Sequence, residues 1–271
     1  MKSFSKVLLI ANANKLTVES VVERTVEILR ECGIESIVNY DPECDGRLYE
    51  GCDLVIAVGG DGTIIRAAKH AAIYDKPVLG INAGRIGFLA GLEYDQLDRL
   101  FVLKSGDYTV ESRMMLEVNS CMDECKNVYC LNDVVLSKEM PSRLIDVNVC
   151  YDNDVVSYRA DGIILSTPTG STAYSMSAGG PVVDPTVSCI MITPVCPYSL
   201  SSRPVIINSD KTVHLSTVEN SFEKAFLFVD GDLAIEVPNG VKISVSKADI
   251  QARFIKISDN SFYKLLANKI K

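Results

Sequence analysis

The sequence predicts an α/β fold in two parts, an N-terminal α/β domain with a mostly parallel sheet and a second domain that is rich in β-strands. Over roughly the first hundred residues, short apolar runs alternate with stretches of helical periodicity, which is typical of parallel strands joined by crossover helices. After about residue 107, short strand-like segments follow one another closely. A chain of 271 residues is long enough for two domains of ordinary size.

The N-terminal domain alternates strands and helices along the chain. Thr17 is a suitable cap for the first helix, and Gly33 is typical of a helix end. A buried strand then runs into the glycine-rich turn Gly59–Thr63. The predicted elements are a strand over Lys6–Ala11, a helix over Thr17–Cys32, strands over Glu35–Asn39 and Asp53–Val58, a helix over Ile64–Ile73, a strand over Pro77–Ile81 and a helix over Tyr94–Leu103.

The second domain is a succession of short strands. Asp152-Asn153-Asp154 separates two of them and is typical of a hairpin turn. The predicted strands are Tyr108–Val118, Val128–Ser137, Leu144–Tyr151, Val155–Arg159, Ile190–Val195, Val205–Ile207, Thr212–Ser216, Ala225–Val229, Ala234–Val237, Val241–Val245 and Phe254–Ile257, followed by a short helix from Ser261.

Composition and charge narrow the class of function. No apolar run reaches the ~18 residues that a membrane span needs, and the N-terminus runs directly into a strand rather than a signal peptide, so we expect a cytoplasmic protein. A formal charge of −8 argues against nucleic acid as a partner, since duplex binding relies on clustered Lys and Arg. Anionic ligands would need local arginines and a divalent cation to offset this charge.

Cysteine and histidine usage excludes further classes. The nine cysteines are odd in number and scattered, which is typical of structural thiols in a reducing compartment. Cys121, Cys125 and Cys130 lie close together in sequence, but they lack a Cys-x-x-Cys pair and a nearby histidine, which argues against zinc. With two histidines, the chain has little material for histidine metal clusters or serine–histidine triads.

The strongest motif is Gly59-Gly60-Asp61-Gly62-Thr63, at the end of a buried strand and the start of a helix. Glycines there let the backbone approach a phosphate closely, and the helix start offers unpaired N–H groups to an anion. The alternative is an ordinary turn in which Asp61 caps the helix. A carboxylate beside a phosphate is electrostatically unfavourable, which favours a chemical role for Asp61, such as accepting a substrate proton or holding a cation.

A second glycine-rich segment, Asn82–Leu89, follows the next strand. Open parallel sheets bind their ligands at the carboxyl ends of their strands, so we expect this loop and the Gly59–Thr63 turn to face one crevice. Taken alone, the segment is equally typical of a connector without ligand contact.

The segment Thr167–Pro181 is uncharged and rich in Gly, Ser and Thr. It follows Arg159-Ala-Asp161-Gly162 and the apolar run Ile163–Leu165. Its hydroxyls and backbone N–H groups suit a sugar or a phosphate. A flexible linker has a similar composition, but linkers seldom lie between buried strands or contain Tyr and Met.

Two further segments combine polar and apolar residues. Asn132 and Asp133 interrupt an apolar strand, which indicates either a β-bulge or an amide–acid pair that binds ribose hydroxyls or an adenine edge. Thr193–Pro204 contains three prolines and predicts a rigid crossing loop, with a purely structural role as the alternative.

Taken together and in this order, the five segments resemble the NAD kinase family, over roughly residues 53 to 204. The Gly59–Thr63 element by itself is shared with diacylglycerol and sphingosine kinases and, more loosely, with phosphofructokinases. The run Thr-Gly-Ser-Thr-Ala-Tyr-Ser, which begins at Thr169 and is followed by Ala-Gly-Gly-Pro, is much more specific. This run is what separates the family from the wider superfamily.

The resemblance implies a C-terminal β-sandwich, a chain end that returns to the first domain, and a homo-oligomer, either a dimer or a tetramer. We therefore expect residues 1–107 and 251–271 to form the N-terminal phosphate-binding domain, and residues 108–250 to form an NAD-binding domain.

The resemblance also implies roles for individual residues. Asp61 corresponds to the family's proton acceptor, Gly62 and Arg66 line the same site, and Gly59, Gly60, Gly62 and Thr63 form the phosphate loop. The remaining matches fall where relatives bind the dinucleotide: Asn132, Asp133, Arg159, Asp161, Thr169, Thr172, Ala173, Tyr174, Ser175, Met176, Ser177, Cys196 and Asp232.

The chain departs from the family pattern at three positions. Asp133 stands where the family usually has Glu, which shortens the acid by one methylene. Ile86 stands where Leu is usual, a change of little consequence for packing. Asp232 stands where many relatives have Gln, so an amide donor is lost.

The reaction that the resemblance implies is transfer of the terminal phosphate of ATP to the adenosine ribose 2′-hydroxyl of NAD, with Asp61 as the base. Mg²⁺ or Mn²⁺ is expected to be bound with ATP rather than by fixed protein ligands. Asp161 would anchor the nicotinamide or its ribose, and Tyr174 would lie along adenine. The alternatives are a lipid kinase of the diacylglycerol type and a catalytically silent NAD-binding sensor.

Overall fold

The computed structural model describes residues 4–12, 16–41, 44–84, 87–139, 143–219, 223–257 and 261–269. Arg85 and Ile86 of the second glycine-rich segment lie outside the described residues. The chain divides into two compact units, Met1–Arg113 with Ile250–Lys271, and Met114–Asp249.

The first unit begins with alternating strands and helices. Its elements up to residue 105 are β1 (Lys6–Ala11), α1 (Leu16–Glu31), β2 (Glu35–Asn39), α2 (Gly46–Glu50), β3 (Leu54–Gly59), α3 (Asp61–Ile73), β4 (Pro77–Asn82), β5 (Leu92–Glu93), a 3₁₀ helix (Leu97–Phe101) and α4 (Val102–Ser105).

The described part of the second unit is built of strands with three short helical segments. The elements from residue 109 onward are β6 (Thr109–Ser120), a 3₁₀ helix (Asp123–Cys125), β7 (Val128–Cys130), β8 (Asp133–Lys138), β9 (Ile145–Tyr151), β10 (Asp154–Ala160), β11 (Gly162–Ser166), a 3₁₀ helix (Thr169–Thr172), α5 (Tyr174–Ser177), β12 (Cys189–Val195), β13 (Val205–Asn208), β14 (Val213–Thr217), β15 (Ala225–Val229), β16 (Leu233–Val237), β17 (Ile243–Lys256) and α6 (Phe262–Lys269). The last residues of β17 and helix α6 belong to the first unit.

The sheet of the first unit is parallel, in the order β4-β3-β1-β2. β5 and the end of β17 also pair in parallel with β4. Strands β1 and β3 are buried along almost their whole length, as expected for a parallel sheet covered by helices. The register places Gly59, the last residue of β3, beside Asn82, the last residue of β4. Both glycine-rich segments therefore start at one edge of the sheet, as the sequence predicts.

The second unit contains antiparallel strands in two groups. One group has the order β10-β9-β14-β17, and the other is a six-stranded sheet in the order β13-β12-β11-β8-β15-β16. Alternate side chains from both groups form one apolar core; Val147 and Leu215 belong to the first group, and Leu136, Leu165 and Leu227 to the second. The sandwich-like arrangement follows from the two-residue period of these strands.

Several predicted boundaries are wrong, each for a local reason. Helix α3 begins at Asp61 rather than Ile64, because Gly60 is extended and serves as the N-cap. The predicted helix over Tyr94–Leu103 is mostly the 3₁₀ helix and α4. Its buried leucines at 97, 100 and 103 recur every third residue, a spacing that suits a 3₁₀ helix as well as an α-helix.

Other differences concern strands. The predicted strand Val128–Ser137 is two strands separated by a bend at Leu131-Asn132, whereas Val241–Val245 and Phe254–Ile257 largely belong to the single strand β17. Pro194 lies inside β12 rather than in a crossing loop. β13 pairs with β12 only as far as Ile192, so the N–H that proline lacks is not needed there. Helix α2 is not predicted from the sequence.

Candidate functional site

The Gly59–Thr63 turn leaves open space where a phosphate would need it. Gly60 is extended, with φ −88° and ψ 179°, and no side chain caps the start of α3. A Cβ atom added to Gly60 or Gly62 would meet no atom within 4 Å, whereas one added to Gly59 would lie 2.7 Å from Thr63 Oγ1. Gly59 is thus required for packing, while the backbone at Gly60 and Gly62 is accessible to a ligand.

Asp61 is the first residue of α3, but its side chain does not cap that helix. One carboxylate oxygen, Oδ2, accepts a hydrogen bond from the Phe88 N–H at 3.0 Å, and Oδ1 accepts a longer one from the Leu89 N–H at 3.4 Å. A Cβ atom on Gly87 would lie 2.0 Å from Asp61 Oδ1, so any larger residue there would displace the carboxylate. The interpretation of Asp61 as a helix cap is therefore wrong, because its carboxylate binds the neighbouring loop instead.

The loop that holds Asp61 is itself tied to the sheet. The Ala83 N–H donates to the Gly59 carbonyl at 3.2 Å, and the Asn82 side chain donates to Glu93 at 2.7 Å. The Phe88 ring lies 6.3 Å from the ring of Phe262 on α6. These contacts fix the peptide groups that bind Asp61.

One charged side chain that the sequence does not single out, that of Lys256, lies within electrostatic reach of Asp61. Burial, and next the charge of Arg113, lowers the pKa of Lys256, while Glu111 and Asp61 act in the opposite direction. Arg113 is itself buried, with Nε 2.6 Å from Glu111 Oε1. Arg66 is half-buried on α3, five residues and about 140° around the helix axis from Asp61. A lysine inside an apolar terminal strand is the one sequence signal that could have identified Lys256.

A pocket of about 500 Å³ lies in the second unit. Asp133, Val135 and Ser137 reach it from alternate positions of β8, because successive strand residues face opposite sides of a sheet. Ala173 and Tyr174 contribute from the segment after β11. The residues that line the pocket are Asn132, Asp133, Val135, Ser137, Ala173, Tyr174, Phe228, Asp230 and Gly231. Four of the predicted dinucleotide-binding residues are thus brought together.

Two polar groups of this region lack a hydrogen-bond partner within the described part of the chain. They are Oδ1 of Asn132 and Oγ of Ser166, both buried. Ser166 is the cross-strand neighbour of Asp133. Buried acceptors are almost always satisfied in folded proteins, so Oδ1 of Asn132, a residue that lines the pocket, suits a hydrogen bond with a polar ligand.

Asp133 is 6% exposed, and burial, with a smaller contribution from Asp230, raises its pKa to about 7. Burial also raises the pKa of the Tyr174 phenol, and the charges of Cys196, Asp161 and Asp133 add to that effect. Three predicted residues from separate segments therefore lie within electrostatic reach of the Tyr174 hydroxyl.

Asp161 is held by a lysine that the sequence analysis misses. Lys138 Nζ lies 2.7 Å from Asp161 Oδ1, and the two side chains are 12% and 31% exposed. A second pocket of about 590 Å³ is lined by Lys138, Arg143, Leu144, Arg159 and Tyr198. Three cations in one pocket supply the local positive charge that the protein as a whole lacks.

The hydroxyl-rich segment is folded as a 3₁₀ helix and α5, so the linker alternative is wrong. Several of its hydroxyls are used internally. Thr167 Oγ1 donates to the Leu131 carbonyl at 2.6 Å, Ser171 Oγ bonds to the backbone of Val183, and Ser175 Oγ lies 3.0 Å from Thr193 Oγ1. The buried side chain of Ser175 therefore holds the segment in place. Thr172, Met176 and Ser177 are at least partly exposed, as are Cys196 and Asp232, while Thr169 is buried.

Metal-ligand clusters, membrane-spanning helices and disulfides are absent from the residues that the structure describes. They contain no group of three or more His, Cys, Asp or Glu side chains arranged to hold a metal ion. Their helices include none with the length and apolar character needed to cross a membrane. None of the nine cysteines is in a disulfide, and all nine are described.

Comparison with known proteins gives consistent matches. The model of the ATP-NAD kinase N-terminal domain matches residues 41–103, and that of the ATP-NAD kinase C-terminal domain matches residues 131–257. An NAD kinase of Carboxydothermus hydrogenoformans is 41% identical over 245 residues, which is 89% of this chain and 85% of that protein. An NAD kinase of Desulforamulus reducens is 35% identical over 277 residues, which is 97% of this chain and 96% of that protein.

Solved structures agree with these sequence matches. The crystal structure of an NAD kinase from Archaeoglobus fulgidus in complex with ATP has a TM-score of 0.82 at 26% identity, covering 97% of this chain and 99% of that one. Yeast NADH kinase complexed with NADH has the same fold, with a TM-score of 0.88 at 23% identity over 100% of this chain and 88% of that one.

Proposed function

Because this chain belongs to the NAD kinase family, whose members are phosphotransferases, we propose that it transfers the terminal phosphate of ATP to the adenosine ribose 2′-hydroxyl of NAD, giving NADP and ADP. The observation that carries the proposal is the placement of Asp61 at an open glycine turn, with its carboxylate bound to a neighbouring loop rather than to its own helix. A lipid kinase of the diacylglycerol type, the alternative from the sequence, does not agree with membership of this family.

In the proposed reaction, Asp61 accepts the proton of the ribose 2′-hydroxyl as that oxygen bonds to the terminal phosphorus of ATP. The bond from phosphorus to the bridging oxygen breaks, and ADP leaves with the electron pair. The N–H groups of Phe88 and Leu89 hold the carboxylate, and each of its oxygens retains a lone pair for the hydroxyl. The backbone at Gly59, Gly60, Gly62 and Thr63, with Arg66, binds the phosphates.

The pocket of the second unit is proposed to bind NAD. Asn132 and Asp133 accept hydrogen bonds from the adenosine, Tyr174 lies along the adenine ring, and Asp161 anchors the nicotinamide or its ribose. Arg159 and Lys138 offset the negative charge of the pyrophosphate. The other proposed contacts are Thr169, Thr172, Ala173, the backbone of Ser175, Met176, Ser177, Cys196 and Asp232.

A divalent cation, Mg²⁺ or Mn²⁺, is proposed to enter with ATP, and when bound it would neutralise the charge of the triphosphate. Excess EDTA should abolish turnover, and added Mg²⁺ or Mn²⁺ should restore it. Undiminished activity in EDTA would contradict this part of the proposal.

We also propose a homo-oligomer, a dimer or tetramer, that works in the cytoplasm without nucleic acid or membrane partners. Light scattering of the purified protein tests the first point, and cell fractionation tests the second.

The deciding experiment is an assay of NADP formation by the purified protein. It should be run with ATP or polyphosphate as donor, with NAD or NADH as acceptor, and with a parallel reaction that offers diacylglycerol. NADP formation from ATP and NAD is expected. NAD binding without turnover would indicate the silent sensor, and phosphorylated lipid would indicate the lipid kinase.

A further inference from the structure

The carboxylate of Asp230, in the turn between β15 and β16, collects hydrogen bonds from one stretch of backbone. Oδ1 accepts from the Asn132 N–H at 2.7 Å and from the Asp133 N–H at 3.2 Å, and Oδ2 accepts from the Leu131 N–H at 2.9 Å. The Cys130 thiol donates to Oδ1 at 3.3 Å. In return, the Asp230 N–H donates to the Asp133 carbonyl at 2.9 Å.

We infer that Asp230 is a positioning residue of the NAD pocket, which holds the backbone of residues 131–133 so that the side chains of Asn132 and Asp133 meet the dinucleotide. The inference rests on the function proposed above. It assigns Asp230 no contact with the reacting atoms, since the action on NAD passes through its two neighbours.

The chain bend explains why this stretch needs an external acceptor. Between β7 and β8 the backbone leaves the strand conformation at Leu131 and Asn132, so their N–H groups cannot join a strand ladder. Buried N–H groups without a partner are costly, and Asp230 supplies acceptors to three successive groups. The same bend turns Asn132 and Asp133 into the pocket.

The conformation of Asp230 agrees with this role. Its φ is 51°, in the left-handed region, which is unusual for a residue other than glycine and is tolerated best by Asn and Asp. Asn would therefore suit the backbone as well as Asp does. Only the ionised side chain, however, presents acceptors at both oxygens, since an Asn side chain would point an NH₂ group at one of the N–H donors.

The charge of Asp230 has a second consequence for Asp133. Among the described residues, Asp230 is the charged group that adds to burial in raising the pKa of Asp133, and Tyr174 is the other titratable group that senses Asp133. Ribose hydroxyls donate to an ionised carboxylate, so NAD affinity should rise as Asp133 loses its proton near pH 7. A variant without the Asp230 charge should bring that rise to lower pH. A change that weakens the backbone bonds but keeps the charge would leave this midpoint unchanged.

The test uses Asp230→Asn in the full-length enzyme, with Asp152→Asn as the matched control. Asp152 also has a left-handed φ, of 56°, and lies at a hairpin turn, where its partner is Lys211. KM and kcat for NAD and ATP, and the dependence of KM for NAD on pH, should be measured for both variants.

For Asp230→Asn we expect KM for NAD to rise on the order of tenfold and KM for ATP to change less than about twofold. The midpoint of the pH dependence of KM for NAD should move to lower pH. Asp152→Asn should match the wild type. An Asp230→Asn enzyme with unchanged KM for NAD, or with a raised KM but an unshifted midpoint, would overturn the inference.

If Asp230→Asn does not fold, Asp230→Glu decides, because it keeps the charge but misplaces the acceptors by one methylene. Its KM for NAD should rise while the midpoint stays near that of the wild type, and an unchanged KM would overturn the inference. A wild-type enzyme that makes no NADP would instead count against the proposed function.

Discussion

Asp61 in the first unit and Asp230 in the second use the same device, a carboxylate bound by successive backbone N–H groups of another loop. They differ in the number of hydrogen bonds that their carboxylate oxygens accept. Each oxygen of Asp61 accepts one hydrogen bond, whereas Oδ1 of Asp230 alone accepts three. The carboxylate of Asp61 is held in place and still has lone pairs for a substrate, whereas that of Asp230 is bound to the backbone of residues 131–133. The difference separates a group suited to chemistry from one suited to positioning.

Replacement of Asp61 by Asn is the strongest test of this distinction. Asn keeps one acceptor for the loop but cannot take a proton, so kcat should fall on the order of 10² to 10⁴-fold while NAD still binds. Steady-state kinetics and isothermal titration with NAD would measure the two effects. Asp98→Asn, at an exposed ion pair with Arg24, serves as the control and should be nearly neutral.

An Asp61→Asn enzyme that folds normally and turns over within about tenfold of the wild type would show that Asp61 is not the base, since loss of a general base costs more than that. It would also remove the difference between the two aspartates, because both would then be structural.

The second test removes the loop that holds Asp61. In Gly87→Ala the new methyl carbon would lie 2.0 Å from Asp61 Oδ1, so the carboxylate must move. We expect kcat to fall roughly 10 to 100-fold with little change in KM for NAD, because displacement of a catalytic group by about 1 Å costs on that order. In an Asp61→Asn background the same substitution should have little further effect on kcat. Additive losses in the double variant would contradict this account.

The sequence predicts the first of these two sites far better than the second. Asp61 stands in a compact glycine motif between a buried strand and a helix, and the loop that binds its carboxylate follows the next strand along the chain. Asp230 lies about a hundred residues from the backbone that it binds, and no spacing rule connects them. Lys138, the last residue of β8, is likewise paired with Asp161, which directly precedes the neighbouring strand β11. Such partners follow from sheet register, which a single sequence does not specify.

In the fold, too, the features defined by local sequence are predicted better than those that depend on residues distant in the chain. Strands β1, β2 and β15 have the predicted bounds because apolar runs ended by polar residues define them. The hydroxyl-rich segment has the predicted location but a different use of its side chains. Composition indicates a polar surface, whereas in the structure the hydroxyls of Thr167, Ser171 and Ser175 form hydrogen bonds within the protein. Which hydroxyls remain for a ligand depends on contacts distant in sequence.

The third prediction concerns the electrostatic coupling of Asp133 to Asp230. The folded-state pKa of about 7 exceeds the ~3.9 of an unfolded Asp, so the folded state binds the proton more tightly. Stability should therefore decline as pH rises from about 4 to 7. Asp133→Asn removes this penalty, and at pH 8 it should stabilise the protein by ~1 to 4 kcal/mol. Urea denaturation at pH 5 and pH 8 would measure the change.

The same Asp133→Asn variant should bind NAD more weakly than the wild type at pH 8, with an affinity that no longer depends on pH between 6 and 8. In the wild type that affinity should rise up to about tenfold over this range. If Asp133→Asn destabilises the protein at pH 8, the carboxyl is not under the electrostatic strain that its burial beside Asp230 implies.

The smallest expected effect belongs to Cys130, the fourth donor to Asp230. A thiol is a weak donor, and the N–H groups of residues 131, 132 and 133 remain in Cys130→Ala, so the carboxylate should keep its position. We expect KM for NAD to change less than about twofold and the protein to lose on the order of 1 kcal/mol of stability, because the buried sulfur leaves a small cavity. Kinetics at fixed pH and thermal denaturation would measure both. The result bears on the wider expectation that the cysteines are structural, since catalysis by Asp61 needs no thiolate. A loss of activity in Cys130→Ala as large as that expected for Asp230→Asn would mean that the thiol, rather than the backbone N–H groups, sets the position of the Asp230 carboxylate.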